Sequence, residues 1–248
     1  MSGTSSVLRS GRIGRTEGVA AAVPSGLLIA IYLTEFGRGR LAALVRTVID
    51  VMVGIPSIVA GLFVYAFWVL GLRRGFSGFA AAMALSILML PIVVRSAEEM
   101  IKLVPASLRE AAYALGIPRW RAILRVVLPT ASAGITTGVM LAVARVTGET
   151  APLLLTAFGF DSINNDPFSG PQSSLPLFVF TQASSAFTTA VDRAWAGALT
   201  LIAVVLLLTV AARLVTRRAG PGGRPRQDSP GGSPEAGPGG RPRQDSPG

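Results

Sequence analysis

Five long stretches without a charged residue constrain this chain more than any other feature. Backbone inside lipid must satisfy its own hydrogen bonds, and about 20 consecutive apolar residues cross a bilayer as a helix. The pattern therefore predicts an all-α membrane protein with about five transmembrane helices, near residues 18–35, 50–72, 76–95, 131–155 and 194–213. The uncharged stretches themselves are residues 18–34, 51–72, 75–94, 126–144 and 194–212.

Composition argues against a soluble protein and against several kinds of chemistry. Charged residues make up 15% of the chain, against about 25% in soluble domains, so too little polar chain remains to cover five buried core helices. There is no Cys and no His, which excludes Ser-His-Asp and Cys-His nucleophiles and the usual zinc sites. The only lysine, Lys102, stands in Ile-Lys-Leu, so a Walker A loop is absent. We expect no catalytic, metal or cofactor site in this chain.

Loop arginines predict the orientation. Basic residues concentrate in residues 35–50, in 95–129 and after Arg213, which predicts that these loops and the C-terminus are cytoplasmic. The basic N-terminus then lies on the external side of the membrane, although basic segments favour the cytoplasmic side. Residues 1–17 are therefore expected to be an atypical start that lacks a preceding span. The alternative is a signal peptide that begins with a basic region.

The two ends of the chain differ from its middle. Residues 18–216 form the predicted transmembrane domain. Residues 217–248 form a Gly-, Pro- and Arg-rich tail in which 220–231 recur identically as 237–248. Such a composition cannot build a core, so a disordered tail is expected, solvated or in contact with membrane lipid. No aromatic residue interleaves the tail's charges, so nucleic-acid binding is not expected.

The most informative segment lies between the third and fourth predicted spans. Ser107-Leu-Arg-Glu110 fits a capping box, and apolar residues then recur at helical spacing up to Leu115. Gly116 suits a left-handed helix end, and Pro118 suits the first turn of a new helix. The sequence predicts two short amphipathic helices joined by an elbow. Taken alone, they could form a hairpin at the membrane interface.

The same segment carries a spaced motif. Glu110-Ala-Ala, three residues, Gly116, nine residues and Val126-Val-Leu-Pro129 resemble the EAA loop of ABC importer permeases, with Val126 in place of Ile. Residues 50–65, 114–129, 138–160 and 161–180 look like the permease subunits of phosphate ABC transporters, the PstA family, and the similarity extends over about residues 24–216. That family generally has six spans, so the resemblance implies a six-span bundle that lacks the first span.

The resemblance also implies a mechanism and partners. The chain would be a multi-pass permease in a bacterial plasma membrane, not an enzyme. It would work with a sister permease, two ATPase subunits that hydrolyse ATP, and an external phosphate-binding protein. Residues 107–129 would couple to the ATPase through Glu110, Ala111, Ala112 and Gly116. Glu110 could instead serve only as the helix cap.

Two charged pairs lie in or near the spans. Arg145 and Glu149 are spaced i and i+4 in the fourth predicted span, where charges are costly and mostly functional. They are a candidate phosphate path, because guanidinium groups bind phosphate oxygens; the alternative is a structural ion pair. Arg95 and Glu98 form a second candidate pair on the substrate path, although Arg95 could instead anchor the third span at the lipid headgroups.

Other functions remain open at this point. The EAA-like loop alone fits a permease for another anion. An intramembrane enzyme would have only carboxylates and hydroxyls for catalysis, and a receptor would not need the loop. A GxxxG motif at Gly134 and Gly138 predicts close helix packing against an unidentified partner.

Overall fold

The computed structural model describes residues 2–158, 166, 168 and 170–219. Within these ranges the chain is helical and contains no β-strand. The prediction for tail residues 220–248 lies outside the described residues. The helices are α1 (Ser2–Ile31), α2 (Arg40–Gly54), α3 (Ser57–Val64), α4 (Gly78–Lys102), α5 (Ala106–Ala114), α6 (Arg119–Ala122), α7 (Leu128–Thr147), α8 (Ala151–Thr156), α9 (Leu175–Ala183) and α10 (Thr188–Ala219). Three π-helical turns, Tyr32–Phe36, Tyr65–Gly71 and Ile123–Val127, continue α1, α3 and α6.

Four helical segments of the described chain are long and apolar enough to cross a membrane. A fifth crossing is possible if the bent pair Arg40–Gly54 and Ser57–Gly71 counts as one span. The predicted all-α fold with about five spans is confirmed. α1 begins at Ser2, so the helix has no break at residue 17, and α10 continues through residues 217–219. The four segments are Glu17–Phe36, Gly78–Lys102, Arg119–Thr147 and Thr188–Ala211.

The second predicted span is broken at a proline. The sequence predicts one helix over 50–72, but α2 already begins at Arg40 and ends at Gly54, and the helix that follows turns away from it by 105°. Ile55 and Pro56 are extended between the two helices. A residue before proline is pushed out of the helical region by the proline ring, which explains the break at this point.

The fourth predicted span differs at both ends. The second short amphipathic helix is not separate, because α6 runs through the π-helical turn into α7. The wider π turn lies where the ring of Pro129 would otherwise clash with the carbonyl of Arg125, so the helix continues past the proline. At the other end the helix stops at Thr147 rather than at residue 155.

The bundle is organised around α4. α1 packs along one side of α4 and α7 along another, while α10 packs on α7 and α9. Side chains such as Leu85, Met89 and Val94 of α4 are almost completely buried. In contrast, α10 leaves most of its large apolar side chains exposed, including Trp195 and Leu199. Such a surface is typical of a helix that faces lipid or another membrane subunit.

The two glycines of the GxxxG motif face α4. A Cβ atom added to Gly138 would collide with the side chain of Ser96, and one added to Gly134 would collide with Met100. Their missing side chains let α7 approach α4 closely. The structure thus identifies α4 as the partner that the sequence could not name.

We expect Gly138→Ala to destabilise the packing of α4 against α7. The added methyl group overpacks this contact, which costs about 1–3 kcal/mol, and the melting temperature of the purified protein should fall by several degrees. Gly54→Ala is the control, because its Cβ would meet no atom within 4 Å. Equal melting temperatures for the two variants would contradict this account of the motif.

Candidate functional site

The segment between α4 and α7 contains the short helix α5, with a turn before it and a turn after it. Pro105 is the residue before α5, with φ −56° and ψ 138°, and the helix begins at Ala106 without a side-chain cap. The predicted capping box at Ser107 and Glu110 is therefore wrong. A capping box needs Ser at the N-cap, whereas Ser107 already lies inside the first turn. This leaves Glu110 without the capping role.

The outer face of α5 is unusually apolar for an exposed helix. Leu108 is 41% exposed and Leu115 80% exposed, and Trp120 of α6 is 56% exposed. Of the predicted apolar stripe, only Ala112 is buried. An exposed apolar patch of this kind is typical of a protein–protein contact. Glu110 and Ala111 are exposed on the same short helix.

The elbow after α5 has the predicted conformation. Gly116 has φ +73°, in the left-handed region that favours glycine. Its amide donates to the carbonyl of Tyr113, and the amide of Ile117 donates to Ala112. Pro118 then precedes α6. With the bond from the Leu115 amide to Ala111, these contacts satisfy the carbonyls of Ala111, Ala112 and Tyr113 near the end of α5.

Arg109 fastens α5 to the bundle. Its Nη1 atom lies 2.6 Å from Oε1 of Glu35, at the end of the first span, and its Nη2 atom donates to the carbonyl of Ile101 at 2.7 Å. The Glu35 side chain is only 7% exposed. A buried charge-assisted hydrogen bond is stronger than a neutral one, so movements of α5 are linked to α1 and α4. The sequence did not predict this contact.

Arg145 and Glu149 lie beside an open cavity. The cavity has a volume of about 160 Å³, and its wall includes both side chains together with Pro56, Ser57 and Pro91. Nε of Arg145 is 4.0 Å from Oε1 of Glu149, and the Arg145 side chain is 70% exposed. Arg145 belongs to the last turn of α7, and Glu149 lies after the helix. The prediction of two charges inside one helix is therefore wrong for Glu149.

The last turn of α7 suits the positive charge of Arg145. A helix C-terminus carries partial negative charge from unpaired carbonyls, which stabilises a cation in the last turn. The distant carboxylate of Glu149 offsets the charge of Arg145 without holding it in a tight bidentate pair. The guanidinium group therefore keeps donors for another ligand.

Arg95 and Glu98 belong to a separate cluster that connects α4 with α2. The Glu98 side chain is 1% exposed and lies 2.8 Å from Nζ of Lys102, 3.1 Å from Nε of Arg46 and 3.5 Å from Nη1 of Arg95. Arg95 also pairs with Asp50. Arg46 further donates to the carbonyl of Leu33, at the end of the first span. The structure brings Arg95 and Glu98 together, as the spacing predicts, but with three residues that sequence analysis did not associate with them.

Some of these missed contacts had a signal in the sequence and others had none. Lys102 follows Glu98 by four residues, the spacing of a helical ion pair. Arg46 is 52 residues away from Glu98, and no local pattern links them. Among described residues there is no cluster of three or more His, Cys, Asp or Glu side chains that could hold a metal ion.

Comparison with known proteins is consistent with this architecture. A chain of the MetNI methionine ABC transporter, solved in inward-facing conformations, has a similar fold. The TM-score is 0.67, with 18% identity, over 88% of this chain and 95% of that chain. A chain of an amino acid ABC transporter gives a TM-score of 0.65 at 20% identity, over 86% of this chain and 92% of that chain. At these identities the likeness establishes the fold alone.

Sequence relatives are much closer. "Phosphate transport system permease protein PstA 1" of Mycobacterium tuberculosis is 49% identical over 200 residues, which cover 80% of this chain and 66% of that protein. A PstA protein of Xylella fastidiosa is 45% identical over 81% of this chain and 70% of its own length. The chain thus spans just under two thirds of the first relative.

Residues 22–221 match the family described as "Binding-protein-dependent transport system inner membrane component". This match and the PstA relatives confirm the predicted resemblance. The several apolar helices agree with a multi-pass membrane protein. The chain belongs to the family of binding-protein-dependent transport system inner membrane components.

Proposed function

We propose that this chain is the transmembrane permease subunit of an ATP-driven phosphate importer. The observation that carries the proposal is the identity of 43–49% with proteins named phosphate transport system permease PstA, over most of this chain. The chain would form part of the translocation path and bind no cofactor of its own. ATP would be hydrolysed by partner subunits.

The proposed path runs past Arg145. Phosphate oxygens are well matched to the donors of a guanidinium group, and the exposed Arg145 side chain borders a cavity large enough for water and small anions. Glu149 would keep the binding weak enough for release. The proline-bent pair α2 and α3 contributes Pro56 and Ser57 to the same cavity. Arg95 lies about one helical turn, and Glu98 about two turns, further along α4 than Pro91.

The proposed coupling element is α5 with its elbow. Its exposed apolar patch and exposed Glu110 and Ala111 suit docking on an ATPase subunit, while buried Ala112 holds the helix against the bundle. The left-handed Gly116 would preserve the elbow. We further propose that two ATPase subunits, a sister permease and an external phosphate-binding protein complete the importer. The end of the bundle with α5 and the C-terminus would then face the cytoplasm.

Reconstitution tests the substrate. Vesicles that contain this chain with its sister permease and ATPase, supplied with the external binding protein, should accumulate labelled phosphate only with ATP. Labelled sulfate is the matched probe for the alternative, a permease for another anion. ATP-dependent sulfate uptake without phosphate uptake would overturn the proposed substrate but not the family.

We expect Glu110→Ala to weaken coupling without unfolding the chain. The carboxylate is exposed and does not cap α5, so its loss should leave the melting temperature unchanged. Loss of a central contact to the ATPase should lower phosphate-stimulated ATP hydrolysis and uptake by about tenfold. Ser107→Ala, in the same turn, should change neither activity nor melting temperature. A destabilised Ser107→Ala variant would instead support the capping box.

A further inference from the structure

A second polar cavity lies beside α5, away from Arg145. Its volume is about 200 Å³, and its wall includes Arg38, Arg109 and Arg119 together with Glu35 and Tyr113. A single water needs only about 10–15 Å³ of such space, so a larger polar group fits. We call this cavity the arginine pocket.

The arginine pocket has an excess of positive charge. Its one carboxylate, Glu35, is almost buried and is neutralised by Arg109 at 2.6 Å. Arg38 and Arg119 are exposed, and in the described part of the chain neither forms an ion pair with a carboxylate. Two guanidinium groups thus remain unpaired beside one cavity. Like charges held close together repel each other, and a bound anion would remove that repulsion.

We propose that the arginine pocket binds a phosphate group. Guanidinium donors match phosphate oxygens in geometry and charge, and Tyr113, which also lines the cavity, carries a hydroxyl that can donate a hydrogen bond. The phosphate group has two possible sources: the headgroup of an anionic phospholipid, or free inorganic phosphate. The pocket adjoins the end of the first span, where lipid headgroups are in reach.

The three arginines come from three different elements. Arg38 lies in the linker 37–39 after the first span, Arg109 on α5 and Arg119 at the start of α6. Because Arg109 already ties α5 to the first span through Glu35, an anion bound to Arg38 and Arg119 would add a second tie, from the first span to α6 on the other side of the elbow at Gly116. If α5 transmits the movements of ATP hydrolysis, as the proposed function has it, an occupied pocket restrains that transmission. The binding itself does not depend on the transported substrate.

Direct binding tests the proposal. We would purify the nucleotide-free complex with Arg145→Gln in this chain, which removes the proposed transport site. One arm counts phosphatidylglycerol molecules retained per complex by native mass spectrometry. The other arm titrates inorganic phosphate and follows the melting temperature. For each probe that binds, Arg38→Gln with Arg119→Gln should weaken binding by about tenfold or more, because two charge-assisted hydrogen bonds are lost.

Matched variants separate this site from general attraction of anions. Arg121→Gln with Arg125→Gln removes the same charge from exposed positions outside the pocket and should leave binding unchanged. Arg38→Gln alone changes a residue in a non-helical linker, so it should not disturb folding. It should weaken binding less than the double variant does. Retention of lipid alone identifies a headgroup, and stabilisation by phosphate identifies the free anion. If neither probe binds, or if both double variants weaken binding equally, the proposal is wrong. Phosphate uptake by the wild-type complex is measured separately, so failure of the proposed function is distinguishable.

Discussion

Arg145→Gln is expected to reduce ATP-dependent phosphate uptake by about tenfold to a hundredfold. Removal of the guanidinium takes away a charge and several donors from the proposed path, and hydrogen bonds to charged groups are among the stronger polar interactions. Assembly should survive, because the side chain is 70% exposed and its one ion pair is 4.0 Å long. Uptake of labelled phosphate into vesicles, beside ATP hydrolysis by the same complex, is the measurement.

Two further variants sharpen this test. Arg145→Lys keeps the charge but loses the planar fork of donors, so uptake should be intermediate. Arg125→Gln removes an exposed arginine from the same continuous helix, near its other end, and should leave uptake close to wild type. If Arg145→Gln transports normally, the pair with Glu149 is structural and the phosphate proposal depends on similarity alone.

Glu98→Ala is expected to produce the largest loss of stability. Glu98 is the buried centre of the cluster that joins α4 to α2, and its removal leaves Arg46, Arg95 and Lys102 without their shared carboxylate. Breaking a buried ion pair costs about 3–5 kcal/mol, and partial exposure of the three cations favours the lower end. The melting temperature of the purified complex should therefore fall by roughly 5–10 °C.

The neighbouring residue provides the control. Glu99→Ala removes the same charge from an exposed position on α4 and should hardly change the melting temperature. Combining Glu98→Ala with Lys102→Ala should recover part of the loss, since one unpaired cation is removed with its partner. A Glu98→Ala protein that keeps its melting temperature but no longer transports would place Glu98 on the anion path, as the sequence analysis predicted.

Local patterns predicted the helices, and long-range contacts explain the differences. Apolar runs revealed the spans because insertion depends on local hydropathy. The start of α2 was missed because Arg46 and Asp50 interrupt the apolar pattern, and their partners lie on α4, far away in sequence. The charge pattern alone could not show that these residues pair with side chains of α4.

The segment between α4 and α7 also shows where local sequence patterns fail to predict helix boundaries. Ser107 and Glu110 have the spacing of a cap, but Pro105 fixes where the helix begins. Pro129 looks like a boundary, but a π-helical turn carries the helix past it. Both differences from the prediction occur at a proline. Pro105 makes α5 begin one residue before Ser107, and Pro129 does not end the helix that contains it. Gly116, whose constraint is wholly local, was predicted correctly.

The unbroken helix from Arg119 to Thr147 has a mechanical consequence. Its 29 residues are about 43 Å long, with the elbow of α5 at one end and Arg145 in the last turn at the other. When a helix of this length tilts about one end, its other end moves by several ångströms. A tilt of about 5° about its first turn would shift the far end by roughly 4 Å, comparable to the separation of Arg145 and Glu149. If a partner docks at the elbow, as proposed, a small displacement there would be enough to open or close this ion pair beside Leu88 and Pro91, near the middle of α4.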